Sequence, residues 1–259
     1  MSQTTAFARP KYKVEVRKNL FNDNFADGVA DTTEWIVDAG NWSVVQTTQF
    51  DGDNGYVFQQ TNVSADRISY VNAGNFWPDY YVVIAFKIIT AGGAVGLLFR
   101  RTNASSNYYS FKITQGSSNN LKLEKEDGTQ IGALASTTIS ANTWYMARVR
   151  VSGSTIECDI STDFENFTSY ISENDSSYPV GGIGIKTYQT QAQFDNVEVF
   201  ELKKSITEIT NKDLLSLAIT QSNRTAADVF SLVSSNVFGA NFGVYQPGFE
   251  VHAWAGYEE

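Results

Sequence analysis

Two apolar runs on either side of a glycine turn decide the fold class: residues 80–88 read YYVVIAFKI, residues 94–101 read AVGLLFRR, and residues 91–93 read AGG. Aromatic and β-branched side chains fill the first run, which is typical of a β-strand. A short turn containing glycine between two such runs predicts a β-hairpin. The fold is therefore expected to be built from antiparallel strands.

Strand patterns continue on both sides of this hairpin. They occur at residues 11–16, 108–114, 121–125, 144–151, 155–160, 181–187 and 193–200. Turns at intervals of about 8 to 12 residues, with no helical pattern between them, are typical of an antiparallel β-sandwich or jelly roll. We therefore predict an all-β fold.

Alternation along the strands separates two faces. The residues predicted to face the core are Leu97, Phe99, Tyr109, Phe111, Ile113, Tyr145, Ala147, Val149, Val151, Ile156, Cys158 and Ile160. The residues predicted to face outward are Arg100, Tyr108, Lys112, Lys122, Glu124, Arg148, Arg150, Glu157 and Asp159. Two interpretations fit the outward set: an ordinary solvated sheet face, or a sugar-binding face on which aromatic rings stack and charged groups bind hydroxyls.

Composition excludes several kinds of site. The chain has 259 residues and a formal net charge of −9, which disfavours a nucleic-acid binder because phosphate contacts need clustered Lys and Arg. A single cysteine, Cys158, excludes an internal disulfide and a cysteine-rich zinc site. A single histidine, His252, excludes a multi-histidine metal centre. Calcium, which prefers oxygen ligands, stays open.

Targeting signals are not expected. Residues 1–20 lack the apolar segment of a signal peptide, and no run of 18 apolar residues predicts a membrane span. These features predict a protein made in the cytoplasm without a signal peptide.

A series of short motifs then carries a family resemblance. In chain order they are DNF at 23–25, Trp35, GNWSV at 40–44, GLLFR at 96–100, NYYSF at 107–111, NTWY at 142–145, GGIGI at 181–185 and FDNV at 194–197. The series resembles the concanavalin A-like lectin/glucanase jelly roll, in its laminin-G-like and glycan-binding-module branch, over about residues 20–201. This fold serves lectins, hydrolases and adhesion modules alike.

The resemblance implies a glycan-binding surface, and the exposed aromatic and charged residues are the candidates for it. They are Trp77, Tyr80, Arg100, Tyr108, Lys112, Arg148 and Tyr188.

Calcium is the one cofactor that the resemblance implies. In this fold an aspartate on the last strand often binds calcium together with oxygens from the first strand. Asp195 matches that position, and Asp23 and Asp27 are its expected partners, so a structural Ca²⁺ ion is predicted. The alternative is that Asp195 only caps or hydrogen-bonds a loop.

No catalytic residues are predicted, and the protein is expected not to be an enzyme. Glucanases of this fold carry a Glu-x-Asp-x-Glu strand, whereas residues 157–161 read ECDIS and end in serine. A glycosidase needs two carboxyl groups that flank one bond. The alternative of a carbohydrate-active enzyme therefore depends on Glu124, Glu157 or Asp159.

The two chain ends carry a fainter resemblance. Residues 214–220 fit a strand or a short helix, residues 229–233 fit a helix or a strand, and residues 249–255 fit a strand. Together with residues 11–16 they are similar to the first β-barrel of hub and baseplate proteins in bacteriophage-type tails. That similarity implies a jelly roll at 20–201 inserted in or flanked by a small β-rich docking or barrel segment, formed by residues 1–19 and 202–259.

The combined expectation is a structural or adhesion protein of a virion or tail-like particle, located on that virion or extracellular particle. Its partners would be a cell-surface or other glycan and other subunits of the particle, in which it would assemble as a homo-oligomer. A purely architectural protein without sugar binding is the alternative.

Overall fold

A computed structural model describes residues 10–30, 34–103, 107–202, 205–207, 214–220, 229–234 and 249–257 of the chain. Every regular element in this part is a strand. The strands are β1 Pro10–Asp23, β2 Trp35–Ala39, β3 Trp42–Thr48, β4 Asn54–Gln60, β5 Asp66–Val71, β6 Tyr80–Ile88, β7 Ala94–Arg101, β8 Tyr109–Thr114, β9 Leu121–Lys125, β10 Gln130–Ala135, β11 Trp144–Ser152, β12 Thr155–Ser161, β13 Thr168–Asn174, β14 Gly182–Tyr188, β15 Ala192–Glu201, β16 Ser205–Thr207, β17 Leu214–Thr220, β18 Val229–Ser234 and β19 Phe249–Tyr257. The predicted all-β class is confirmed. Within the described ranges no helix is long and apolar enough to cross a membrane.

The chain divides into two compact units. The larger is Asn19–Lys203, and the smaller consists of Met1–Lys18 with Lys204–Glu259.

The larger unit is a sandwich of two antiparallel sheets. One sheet has seven strands in the order β10-β9-β8-β7-β14-β5-β2. The other, called here the β6 sheet, has the order β13-β12-β11-β6-β15, with Asn19–Asp23 of β1 paired to β15 on the far side. Strand β4 also pairs with β15, and β3 pairs with β4. The predicted antiparallel sandwich is confirmed.

The core lies between the two sheets. All twelve residues predicted to face it belong to one buried cluster. Alternation places their neighbours on the outer faces, because successive side chains of a strand point to opposite sides. The side chains on the outer faces of the two sheets are the ones that a ligand can contact.

The smaller unit is formed by strands from both ends of the chain. Residues 10–18 of β1 pair antiparallel with β19, and residues 14–16 also pair with β16. Strands β17 and β18 pair with each other. Both segments for which helix and strand were open therefore contain strands. Residues 221–228, which connect them, lie outside the described part.

Candidate functional site

The outer face of the seven-stranded sheet gathers three of the predicted glycan ligands. Strand register places on this face Tyr70, Arg101, Tyr108, Ser110, Lys112, Lys122, Glu124, Lys186 and Tyr188. We call these nine residues the tyrosine face. Tyr108, Lys112 and Tyr188 were predicted from the sequence, and the two outward residues Lys122 and Glu124 join them. Tyr108 lies beside Lys186 but is only 6% exposed, which corrects its prediction as an exposed ring.

Tyr188 lies at the centre of this network. The ammonium groups of Lys112 and Lys186 lie 4.1 and 4.4 Å from its ring centroid. Its hydroxyl donates a hydrogen bond to Glu124 Oε1 at 3.0 Å and lies 3.0 Å from Ser110 Oγ. Burial, followed by the nearby Glu124 carboxylate, raises the pKa of Tyr188 well above its ordinary value, so the hydroxyl stays protonated as a donor.

A glycine makes room for the ring. A Cβ atom at Gly96 would lie 2.6 Å from Ser110 Oγ and 3.1 Å from the Tyr188 ring. Gly96 is paired with Lys112 on one side and Lys186 on the other. The missing side chain lets Tyr188 lie across the sheet, and the two lysines then flank it.

Lys186 was not predicted from the sequence. Its ammonium group pairs with Asp66 at 3.1 Å and lies 3.5 Å from the Tyr108 hydroxyl. Period-two spacing from Tyr188 is the signal that places it on the same face. The outward residues predicted from the sequence did not include those of β14.

Arg101 was also missed. Its guanidinium carbon lies 3.4 Å from the centroid of the Tyr70 ring, and its Nη2 lies 3.7 Å from Asp38 Oδ2. The register of β7 against β14 shifts beside this residue, which puts Arg101 opposite Gly182 on the outer face.

Tyr80 and Arg100 are buried, which corrects their prediction as glycan ligands. Tyr80 is fully buried, and its hydroxyl donates to the carbonyl of Gly182 and accepts from the backbone N–H of Arg100. The Arg100 side chain is only 1% exposed and donates to the carbonyls of Pro78 and Tyr178. These groups hold the end of the sandwich together and are not available to a ligand.

Trp77 folds back into its loop. Its ring packs edge-on against Tyr80 and lies where a side chain on Gly74 would be. The open ring is the neighbouring Phe76, which is 85% exposed. Asn103 ties this loop to the end of β7, because its side chain donates to Asn72 at 2.8 and 3.0 Å. Phe76 therefore lies in a loop fastened beside the end of the strand that carries Arg101.

Solved structures share this architecture, although no protein-family model and no curated protein matches the sequence. The carbohydrate-binding module CBM66 from Bacillus subtilis is 20% identical with a TM-score of 0.51, and the match covers 66% of this chain and 98% of the module. A Bacillus subtilis protein of unknown function with a galectin-like fold is 15% identical with a TM-score of 0.50, covering 71% and 96% of the two chains. A putative glycosyl hydrolase from Parabacteroides distasonis ATCC 8503 is 13% identical with a TM-score of 0.47, covering 72% and 100%.

The larger unit has the concanavalin A-like jelly-roll fold. At these identities the similarities show the fold alone. The resemblance of the chain ends to tail hub proteins is not tested by these similarities and stays a prediction.

Arg148 lies on the other sheet of the jelly roll, which corrects its grouping with Tyr108 and Lys112. Its Nε pairs with the buried Asp159 at 2.7 Å, and its guanidinium lies 4.2 Å from the centroid of the Phe167 ring. Arg148 therefore cannot share a ligand surface with the tyrosine face.

The three acids on which a hydrolase would depend also lie on different sheets. Glu124 is on β9, whereas Glu157 and Asp159 are on β12 of the β6 sheet. Each is also held in an ion pair, with Lys122, Arg150 and Arg148 respectively. Glu124 therefore cannot flank one glycosidic bond together with either of the other two.

The three predicted calcium ligands do not form a metal-binding group in the described part of the jelly roll. Asp23 accepts hydrogen bonds from Phe25 N and Trp35 Nε1, each at 2.8 Å, and Asp27 accepts one from Val29 N at 2.9 Å. Among the residues whose placement is described, no three His, Cys, Asp or Glu side chains form a group that could hold a metal ion.

Asp195, the third predicted ligand, is fully buried and accepts hydrogen bonds from Gln49 Nε2 and Asn196 N. Burial, with a smaller contribution from the charges of Asp51 and Asp23, raises its pKa to about 7. This geometry matches the alternative in which Asp195 hydrogen-bonds a loop. The three acids do not form a metal-binding group among the described residues, and calcium binding stays a prediction of the family resemblance.

An apolar cavity of about 260 Å³ lies at one margin of the jelly roll. Val29, Trp35, Val37, Trp42 and Phe58 are among its lining residues. Trp35 belongs to β2 and Trp42 to β3, so the cavity lies where the core extends to these two strands. No predicted ligand lines it.

Proposed function

We propose that the jelly roll is a glycan-binding module and that the tyrosine face, with Phe76 beside it, is its binding surface. The observation that supports this most is the fixed network around Tyr188, whose hydroxyl joins Ser110 and Glu124. Sugar hydroxyls are bound by donors and acceptors that are held in position before the ligand arrives. The shared fold with a carbohydrate-binding module is consistent with this role.

The rings on the face are covered by cations. Lys112 and Lys186 lie over Tyr188, and Arg101 lies over Tyr70. Recognition on the face itself therefore depends on hydrogen bonds and charge. Stacking on a sugar ring is assigned to Phe76, because its ring is open to solvent.

A glycan array with the full chain tests the proposal. We expect binding that falls roughly tenfold, ~1.4 kcal/mol, in Phe76→Ala and in Tyr188→Phe. Tyr188→Phe keeps the ring and removes only the hydroxyl that joins Ser110 and Glu124. Val63→Ala, which trims another exposed apolar side chain, serves as the control and should bind as the wild type does. An array without any signal would refute the proposed function.

A further inference from the structure

Two cations of the tyrosine face, Arg101 and Lys186, are buried, whereas the carboxylates paired with them are half exposed. The side chain of Arg101 is 8% exposed and that of its partner Asp38 is 55% exposed. The side chain of Lys186 is 10% exposed and that of its partner Asp66 is 49% exposed. Arg101 and Lys186 are thus held within the tyrosine face. Their counter-ions, Asp38 on β2 and Asp66 on β5, lie at the edge of this face.

Arg101 is incompletely paired. Its Nε and Nη1 atoms are buried and make no hydrogen bond with any residue of the described part. The 3.7 Å separation between its Nη2 and Asp38 is longer than a hydrogen bond. A buried charge that lacks partners raises the free energy of the folded state. Arg101 therefore carries hydrogen-bond donors that its described protein partners do not use.

Lys112 adds a cation without a counter-ion. Its ammonium group lies over the Tyr188 ring and forms no ion pair with any described side chain. The face and its border then hold four cations, Arg101, Lys112, Lys122 and Lys186, against three carboxylates, Asp38, Asp66 and Glu124. This local excess of positive charge stands out in a chain with a net charge of −9.

From these contacts we infer that the ligand of the tyrosine face is an anionic glycan, one that carries carboxylate or sulfate groups. In the free protein, Asp38 and Asp66 occupy the positions that the acidic groups of the ligand take. Asp38 and Asp66 are themselves half exposed, so water can solvate their carboxylates when the acidic groups of the ligand replace them beside the cations. A bound carboxylate or sulfate gains charge-assisted hydrogen bonds from donors that are already desolvated. The inference rests on the proposed function and specifies its class of ligand.

Three probes test it on the full chain by titration calorimetry: oligogalacturonate for carboxylate, dextran sulfate for sulfate and neutral dextran as the uncharged reference. We expect binding of at least one charged probe that weakens with rising salt, because opposite charges are screened. Asp38→Asn should strengthen that binding several-fold by removing the competing carboxylate. The matched control is Glu157→Gln, which removes another partly exposed, ion-paired carboxylate from the β6 sheet and should change nothing.

Two further variants test whether Arg101 and Lys112 bind the charged probe. Arg101→Gln should weaken binding of the charged probe at least tenfold. Because replacing a buried arginine can unfold the domain, Lys112→Gln provides a second reading at a partly exposed residue, with Arg150→Gln as its control on the β6 sheet. Thermal unfolding of each variant verifies that it is folded.

The outcomes are distinguishable. A glycan array that shows only neutral ligands, with binding unchanged in Asp38→Asn, overturns the anionic ligand and leaves glycan binding in place. Charged probes that bind equally well to Asp38→Asn, Lys112→Gln and the wild type overturn the assignment to this face. No binding to any glycan refutes the proposed function, and this inference with it.

Discussion

The fully buried carboxylate of Asp195 accepts a hydrogen bond from the Gln49 side chain at 3.1 Å, which joins β15 to the turn after β3. Gln49 also donates from the same nitrogen to the carbonyl of Tyr56 at 3.0 Å. The side-chain amide of Gln49 thus links the carbonyl of Tyr56 on β4 to the carboxylate of Asp195 on β15. The protonation state of Asp195 therefore affects the contact between these two strands.

Stability should fall as pH rises through this group. Burial raises the pKa of Asp195 to about 7, whereas an unfolded aspartate titrates near ~3.9. The folded state therefore holds the proton more tightly. The stabilisation is fully present below about pH 4 and is lost as pH rises to about 7, by up to about 4 kcal/mol.

Urea unfolding at several pH values, with a chelator present, measures this slope. Asp195→Asn should remove most of it and should be more stable than the wild type at pH 8. Equal slopes in the two proteins would show that Asp195 does not titrate in this range.

Calcium should not stabilise the jelly roll. Asp23, Asp27 and Asp195 each accept hydrogen bonds from neighbouring groups and do not form a metal-binding group. We expect millimolar calcium at pH 8 to leave the Tm unchanged relative to a chelator. A rise in Tm that Asp195→Asn abolishes would support the calcium site implied by the family resemblance.

Gly96→Ala should displace the side chains of Ser110 and Tyr188 on the tyrosine face. The new methyl group would lie 2.6 Å from Ser110 Oγ and 3.1 Å from the Tyr188 ring, so both side chains must shift. We expect a loss of about 1–3 kcal/mol in the free energy of unfolding, together with weaker glycan binding. The same substitution in a Ser110→Ala background should cost less. An additive double-mutant cycle would contradict this account.

Tyr80→Phe should affect stability and leave binding intact. The Tyr80 hydroxyl is fully buried between the carbonyl of Gly182 and the N–H of Arg100, at 3.1 and 2.8 Å. Its loss leaves two backbone groups without their partner and should cost about 1–3 kcal/mol. Tyr56→Phe, whose hydroxyl has no partner within the described ranges, is the control. Glycan affinity that falls while stability holds would return Tyr80 to the binding surface.

The core could be predicted from the sequence because alternation in a strand follows burial directly. Every residue predicted to face inward, from Leu97 to Ile160, is in the buried cluster. The outward set was harder, because alternation assigns a face and does not say which sheet carries the strand. Arg148 and Lys112 have the same pattern and lie on different sheets.

A local irregularity explains the largest error. Arg100 was predicted to face outward, two residues after Leu98, but its φ of 50° and the register shift beside it turn its side chain into the end of the sandwich. Arg101 takes the outward position instead. A β-bulge reverses the alternation after it, and no residue in AVGLLFRR marks its position in the sequence.

The sites on loops could not be predicted for a related reason. Phe76 and Trp77 are adjacent and chemically alike, and the sequence favours the larger ring. The structure packs Trp77 against Gly74 and leaves Phe76 open. Which of two neighbouring rings points outward depends on the tertiary path of the loop.

The burial of Cys158 has a practical consequence. It is the only cysteine in the sequence, it is fully buried on β12, and burial raises the pKa of its thiol well above the ordinary value. Thiol-directed dyes should therefore not react with the native protein. A cysteine placed at Phe76 would then be labelled alone, without a cysteine-free background, and its fluorophore would report on events at the loop in real time.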